Sequence, residues 1–392
     1  MRVLILIFIL LSGVFADEKV WVPYVERDTG KIDSAVLALD GKSFYTLKDG
    51  LITRWQLNPI KRIQSFQTDI KIGRNRIGNP LYRNIFIVDD GKKIIFWTQQ
   101  NIYLIDLKKE TILKELTVNT IGSQLIANEF VTLTKESVMT KYDVNSLKIT
   151  LSKKIPLDTS KCVPTDLTFF MMVGSKNFIY FSGSGNLARV KTKNLELLDE
   201  RRGTDIRYDS VNKHLYFLSR ARYGKCRDDY SECRWQINIE DGTEVKLSSI
   251  KETLVKNSLA NIILEEKKLP RAPYSVRNLE SKVAEGLQLL RANQQVNIYD
   301  RQSRKYIGRF YQFDNYEWIV QNRSKQYFDL SSNAKKYLYM MDKDALEYLK
   351  QSPYKHRNDT EYLKRRARVL KKFPIDEKTF NKYNKKIIIK AR

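Results

Sequence analysis

The chain has 392 residues, 42% hydrophobic, 11% aromatic and 29% charged, with a formal net charge of +25 and a pI near 9.7. That length allows one large all-β domain or two or three ordinary ones, with a substantial core. The basic balance suggests a nucleic-acid partner, but lysine and arginine are spread along the whole chain and its opening residues are expected to be an export signal. Nucleic acid is therefore not expected, and the charge reads as a solvated basic surface.

The first residues, MRVLILIFILLSGVFADEK, give one basic residue, an apolar run from Val3 to Leu11, and small residues at Val14 and Ala16 with signal-peptidase spacing. The run is well below the roughly 20 residues that span a bilayer. Residues 1–16 are expected to be a cleaved signal peptide, and no later segment is long and apolar enough to be transmembrane. The mature protein is expected to be exported, either periplasmic or secreted.

From about Ile32 one unit recurs: an apolar strand, a short turn with Gly, Asp or Asn, a second apolar strand, a polar turn and a third short strand. GKSFYTLKDGLITRWQLNPIKRIQSF from Gly41 matches GKKIIFWTQQNIYLIDLKKETILKEL from Gly91. Further copies begin near Asn128, Lys176, Asn212 and Leu287. Equivalent strands recur every roughly 40 to 60 residues, a period of stacked β-sheet repeats with insertions. Such a unit cannot bury its own faces, so neighbouring sheets must stack, and radial closure leaves only short edges. The expected fold is all-β, a β-propeller of about seven blades over residues 17–341. A β-sandwich array is the alternative; the single steady period favours the propeller.

Three cysteines lie along the way: Cys162, Cys226 and Cys233. In YGKCRDDYSECRW, polar residues suited to a hairpin tip separate Cys226 from Cys233, and an oxidising compartment would let them close a disulfide. Two thiols without a neighbouring His or Cys pair leave a zinc site half empty. Cys162 is left over and is expected to be buried and inert. Residues from Ser249 to about Ala292, with two prolines in EEKKLPRAP, break the repeat and leave one blade poorly defined.

The aromatic stretch FDNYEWIVQNRSKQYFDLSSNAKKYLYM closes the series. It resembles the last blade of bacterial exported WD40-like β-propeller repeat proteins, at Trp318, Tyr327, Phe328, Ser331, Ala334, Tyr337 and Leu338. Gln326 stands where that pattern has glycine, and Asn322–Arg323 where it has Thr-Pro. The resemblance implies that Trp318, Tyr327, Phe328, Tyr337 and Leu338 pack the closing blade, and that the fold serves as a protein-binding scaffold. Beyond it, residues 342–392 read as a basic, partly helical C-terminal extension, whose helical spacing is interrupted at Ser352–Pro353. Its densest charge, Lys364, Arg365, Arg366, Arg368, Lys371 and Lys372, is the candidate contact for an anionic envelope surface.

Chemistry is sparse. The two histidines, His214 in a strand-like run and His356 in the tail, have no nucleophile in sequence context. No metal or phosphate-binding motif is present, and SGSGN at Ser182 to Asn186 reads as a hairpin turn. TGK, which quinoprotein propellers repeat, occurs once, at Thr29 to Lys31. No catalytic, cofactor or metal residue is assigned. The expected function is an exported, non-catalytic protein-interaction scaffold with an unnamed protein partner. Two alternatives stand beside it: an accessory or maturation factor, or an enzyme, of a periplasmic redox complex; and an envelope polyanion binder acting through the basic tail.

Overall fold

Runs such as KIIFWT and NIYLID carry apolar residues at nearly every position, the pattern of strands buried on both faces rather than one. The computed structural model describes residues 21–25, 32–70, 83–126, 128–156, 171–183, 186–202, 204–209, 212–220, 232–249, 286–292, 295–300, 305–322, 327–342, 373–387 and 389. After β1 (Trp21–Val25), the chain forms β2 (Ser34–Leu37), β3 (Ser43–Lys48), β4 (Leu51–Leu57) and β5 (Ile60–Gln67), hydrogen-bonded in that order into one antiparallel sheet. Four more sheets of the same design follow: β6 (Arg83–Val88) to β7 (Lys93–Thr98), β8 (Asn101–Asp106) and β9 (Thr111–Thr117); β10 (Thr120–Ile126) to β11 (Glu129–Thr134), β12 (Val138–Asp143) and β13 (Ile149–Lys154); β14 (Met171–Gly174) to β15 (Phe178–Gly183), β16 (Asn186–Lys191) and β17 (Glu196–Arg202); and β18 (Thr204–Asp209) to β19 (His214–Arg220), β20 (Glu232–Asn238) and β21 (Glu244–Ser249). The later strands are β22 (Leu287–Ala292), β23 (Gln295–Asp300), β24 (Tyr306–Gln312), β25 (Trp318–Asn322), β26 (Phe328–Leu330), β27 (Leu338–Asp342) and β28 (Phe373–Pro374), and the helix α1 spans Glu377–Tyr383.

The chain divides into two compact units, Lys31–Ile307 with Ile388–Arg392, and Met1–Gly30 with Gly308–Ile387. In the larger unit a hydrophobic cluster fills each space between successive four-stranded sheets, and adjacent residues of one strand serve opposite clusters. Ile94 and Phe96 of β7 pack toward the β2–β5 sheet, whereas Ile95 and Trp97 pack toward the β10–β13 sheet. Ile179 and Phe181 of β15 face back to the β10–β13 sheet while Tyr180 faces the β18–β21 sheet. Each such side chain contributes about 1.5–3 kcal/mol on burial. Face-to-face stacking of sequential four-stranded meanders is the construction of a β-propeller. Counting β22–β26 and the β1–β27–β28 sheet with the five complete sheets gives about seven blades.

The sequence repeat shows three strands per unit; the structure has four. The one missing from the repeat is the first strand of each sheet, which lies ahead of the Gly-led stretch that recurs: β2 ends at Leu37 and β6 at Val88, before Gly41 and Gly91, whereas the outer strands β5 and β9 are the third strand of the repeat. In all five complete sheets the pairing of third to fourth strand shifts register, at the equivalent position in four, between Arg54 and Trp55, Leu104 and Ile105, Lys141 and Tyr142, and Arg189 and Val190, and nearer the start of the third strand in the fifth, between Arg234 and Trp235. One extra residue on each outer strand makes a β-bulge there. The inner hairpins are tight; between β3 and β4, Asp49 and Gly50 both have positive φ, 48° and 81°, as an Asp-Gly hairpin turn requires.

In the smaller unit, β1 pairs antiparallel with β27, Trp21 opposite Asp342 and Val25 opposite Leu338, so the first and last long strands share one sheet. β28 adds to its far side, with Met340 opposite Phe373. Strands β25 and β26 pair in regular register, Val320 opposite Asp329. β28 and α1 fall within the stretch expected as a C-terminal extension.

Candidate functional site

The closing-blade residues come together in part. Phe328, Leu338 and Ala334 are buried with Tyr311, Phe313, Ile319 and Ile375, and Tyr337 packs against this cluster. Its ring stacks on Phe313 at 4.0 Å and 6°. Trp318 is only partly buried and lies outside the cluster, and Tyr327 instead meets Tyr383, ring centroids 6.3 Å apart. Ser331 acts through hydrogen bonds: its hydroxyl accepts the Trp318 N–H at 2.8 Å and donates to the buried Glu317 carboxylate, which also takes Asn333 Nδ2 at 3.1 Å. That network fixes the turn between β26 and β27.

Cys162, Cys226 and the basic run Lys364 to Lys372 lie outside the described residues. Cys233 is on β20, its backbone opposite Ser219 of β19, so the strands flanking the proposed disulfide loop are paired. His214 sits on β19 with Nδ1 2.9 Å from Gln236 Nε2. Gly183 pairs with Asn186, which makes SGSGN a hairpin. Among the described residues no group of three His, Cys, Asp or Glu is placed to hold a metal ion.

Turns of three successive sheets converge on a cavity of about 320 Å³. Leu39 comes from the β2–β3 turn, Asp89 and Asp90 from the β6–β7 turn, Leu125 and Asn128 from the end of β10 and its turn, and Asp143, Val144 and Asn145 from the β12–β13 turn. The floor is aliphatic and the rim carries carboxylates and amides. Asp89 pairs with Lys93 at 3.0 Å. The Asp143 carboxylate accepts the Ser146 hydroxyl at 2.7 Å and the N–H groups of Asn145 and Ser146, and these bonds, the Ser146 hydroxyl foremost, hold its pKa below the usual carboxylate value. Asp90 is exposed, with φ 48° beside Gly91 at 87°, so the turn projects it from the sheet. The sequence marks each of these segments as a turn, but nothing in it shows that they meet, because convergence depends on how the sheets stack.

A second polar group joins the β14–β17 and β18–β21 sheets. Arg201 of β17 donates from two nitrogens to Glu244 of β21, at 2.7 and 2.5 Å, and Arg189 of β16 reaches Asp199 at 2.6 Å. Burial opposes the Arg201 charge, but Glu244 and Asp199 outweigh it and raise its pKa above the ordinary arginine value. Burial also pushes the adjacent Tyr180 phenol up to about 12, against the pull of Arg189. With every carboxylate matched to a guanidinium, this group is suited to joining sheets rather than to moving protons.

No protein-family model matches the chain, and no curated protein matches it. Solved structures similar to it include the β-propeller domain of Cps50 (Swd1) from Myceliophteria thermophila, at a TM-score of 0.39 and 11% identity, covering 79% of this chain and 99% of that one. The C-terminal WD40 domain of Sif2 gives 0.38 and 10%, covering 78% and 85%. KlHsv2 with loop 6CD replaced by a Gly-Ser linker gives 0.38 and 10%, covering 77% and 97%. Likeness of this degree adds no argument; the succession of meander sheets and the cores between them define the class, a β-propeller.

Proposed function

We propose that this protein is an exported, non-catalytic scaffold that holds a partner protein on the turns of its first three complete blades. The observation that carries the reading is the cavity of about 320 Å³ ringed by the turns of three successive sheets. Sheets packed on both faces hold those turns rigidly, so little ordering entropy is lost when a partner docks. An aliphatic floor under a rim of Asp89, Asp90, Asn128 and Asn145 suits the long side chain of a partner lysine or arginine, whose stem buries while its head meets carboxylates. Export rests on the leader at residues 1–16. Among the described residues no helix is long and apolar enough to cross a membrane.

The test is recovery of the tagged chain from the exported fraction of its native cell at gentle salt, with co-purifying proteins identified by mass spectrometry. A stoichiometric partner is expected for the native protein, and Asn128→Arg, which places a cation at the exposed cavity rim, should reduce its recovery about tenfold, equivalent to ~1.4 kcal/mol, at unchanged Tm. Recovery of the chain alone would overturn the scaffold reading. A partner indifferent to Asn128→Arg would move the contact off this face, and a chain confined to the cytoplasm would end the export reading.

A further inference from the structure

The regular edge strand β26 carries a ligand made of the chain's own C-terminal residues. Asn384 bridges to Phe328 in parallel orientation, Lys385 donates its N–H to the Phe328 carbonyl at 2.9 Å, and Ile387 donates its N–H to the Asp329 carboxylate at 3.3 Å. Just before this extended stretch, α1 is capped by Asp376, which accepts the Thr379 N–H at 2.8 Å. The helix turns Phe380 and Tyr383, three residues apart, toward Phe328 and Tyr327, with centroid distances of 5.7 and 6.3 Å. Lys335 pairs with Glu377 and lies 4.6 Å over the Phe380 ring, and Lys385 lies 4.7 Å over the Tyr327 ring.

Two features mark this segment as a bound peptide rather than core. A helix of seven residues is far too short to persist alone in water, and its Glu377, Lys378, Asn381 and Lys382 are exposed. The seat, by contrast, is built without it: β26 is laddered to β25 through Phe328, Asp329 and Leu330. A regularly paired edge strand is a template for an added strand, and strand addition beside a pocket for chosen side chains is a recurring mode of peptide recognition.

We propose that the β26 edge with Tyr327 and Phe328 is a peptide-docking site whose resident in cis is residues 376–387, and that a partner segment of the same pattern displaces it. That pattern is two aromatic residues three apart on a short helical turn, running into an extended basic stretch. The proposal rests on the reading of the chain as an interaction scaffold and adds a second site to it. Because the resident is tethered, its effective concentration is on the order of millimolar, so a competing peptide binds weakly until the resident is loosened.

The test uses the full-length protein and a fluorescent synthetic peptide, DEKTFNKYNKKI, the sequence of residues 376–387, with a control in which its Phe and Tyr are Ser. Glu377→Lys, at an exposed position, replaces the ion pair to Lys335 with repulsion, and Phe380→Ala removes the ring over Phe328. Each should bind the peptide at least about tenfold tighter than the native chain, because a larger fraction of seats stands open, and neither should bind the control. Adding Tyr327→Ala to Glu377→Lys should abolish the gain. If the folded variants bind the peptide no tighter than the native chain, or bind peptide and control alike, the proposal is overturned. Should Phe380→Ala fail to fold, Glu377→Lys carries the test alone. Partner recovery that depends on Asn128 but is unchanged by Glu377→Lys would leave the scaffold reading standing while this site fell.

Discussion

At the scale of single residues, the charges with the largest energetic consequence are the ones least exposed. The side chains of Arg201 and Glu244 are 21% and 16% exposed, and removing one member strands the other. Glu244→Ala should cost about 3 kcal/mol by urea denaturation, whereas Arg201→Met with Glu244→Leu should cost about 1 kcal/mol or less; a single variant close to native would mean the pair is solvated. The carboxylates divide by sign. Burial works against the ionised Asp40, but the Ser43 hydroxyl, the N–H groups of Lys42 and Ser43, and Arg54 outweigh it and lower its pKa. Its stabilisation is present above the unfolded pKa, near about 3.9, and is lost as pH falls through the lower folded value. Asp329 behaves oppositely: burial raises its pKa, and the Ile387 and Leu330 N–H groups and Lys386 only partly offset this. The stability linked to Asp329 is therefore present below the unfolded pKa and lost as pH rises through the folded one. Asp329→Asn should raise the urea midpoint at pH 7, with the difference from native closing in acid; a variant less stable at pH 7 would contradict the assignment.

At the scale of elements, burial and position along the repeat explain what the sequence disclosed and what it hid. Strands such as β3, buried at every position, announce themselves as apolar runs. Outer strands were read as the third strand of the repeat even where the bulge turns an aliphatic residue outward, as with Ile63 and Leu113, the extra residues of β5 and β9, 49% and 43% exposed; the first strand of each sheet was not counted, because it lies ahead of the Gly-led stretch that recurs. Irregular edges also resist pairing with other chains. Leu113→Lys should change stability by less than about 0.5 kcal/mol, while Ile105→Ala, at a fully buried position of the neighbouring strand, should cost about 2–5 kcal/mol. Comparable losses would mean the register is wrong. Of the closing segment, Phe328, Tyr337 and Leu338 join one cluster while Trp318 stays outside it, and the turn there is fixed by the hydrogen bonds of Ser331. The turn-lined cavity and the docking of residues 376–387 were not legible in the sequence, since both join residues distant in sequence and leave no periodic trace.

At the scale of the whole molecule, a net charge of +25 opposes compactness through self-repulsion. Raising ionic strength from ~10 mM to ~150 mM shortens the screening length from about 30 Å to about 8 Å, so the Tm should rise by several degrees; a fall would show that paired charges outweigh the repulsion. The pairing of β1 with β27 has a different kind of consequence. A strand that begins at Trp21 has its partner at Leu338–Asp342, so during synthesis it must wait for a stretch far along the chain. Until then its edge is open, and the nascent chain is at its most vulnerable to proteases and to mispairing. A contact between strands so far apart in sequence is thus slow to become available, which makes the time between the arrival of its two strands the interval in which a chaperone would matter most.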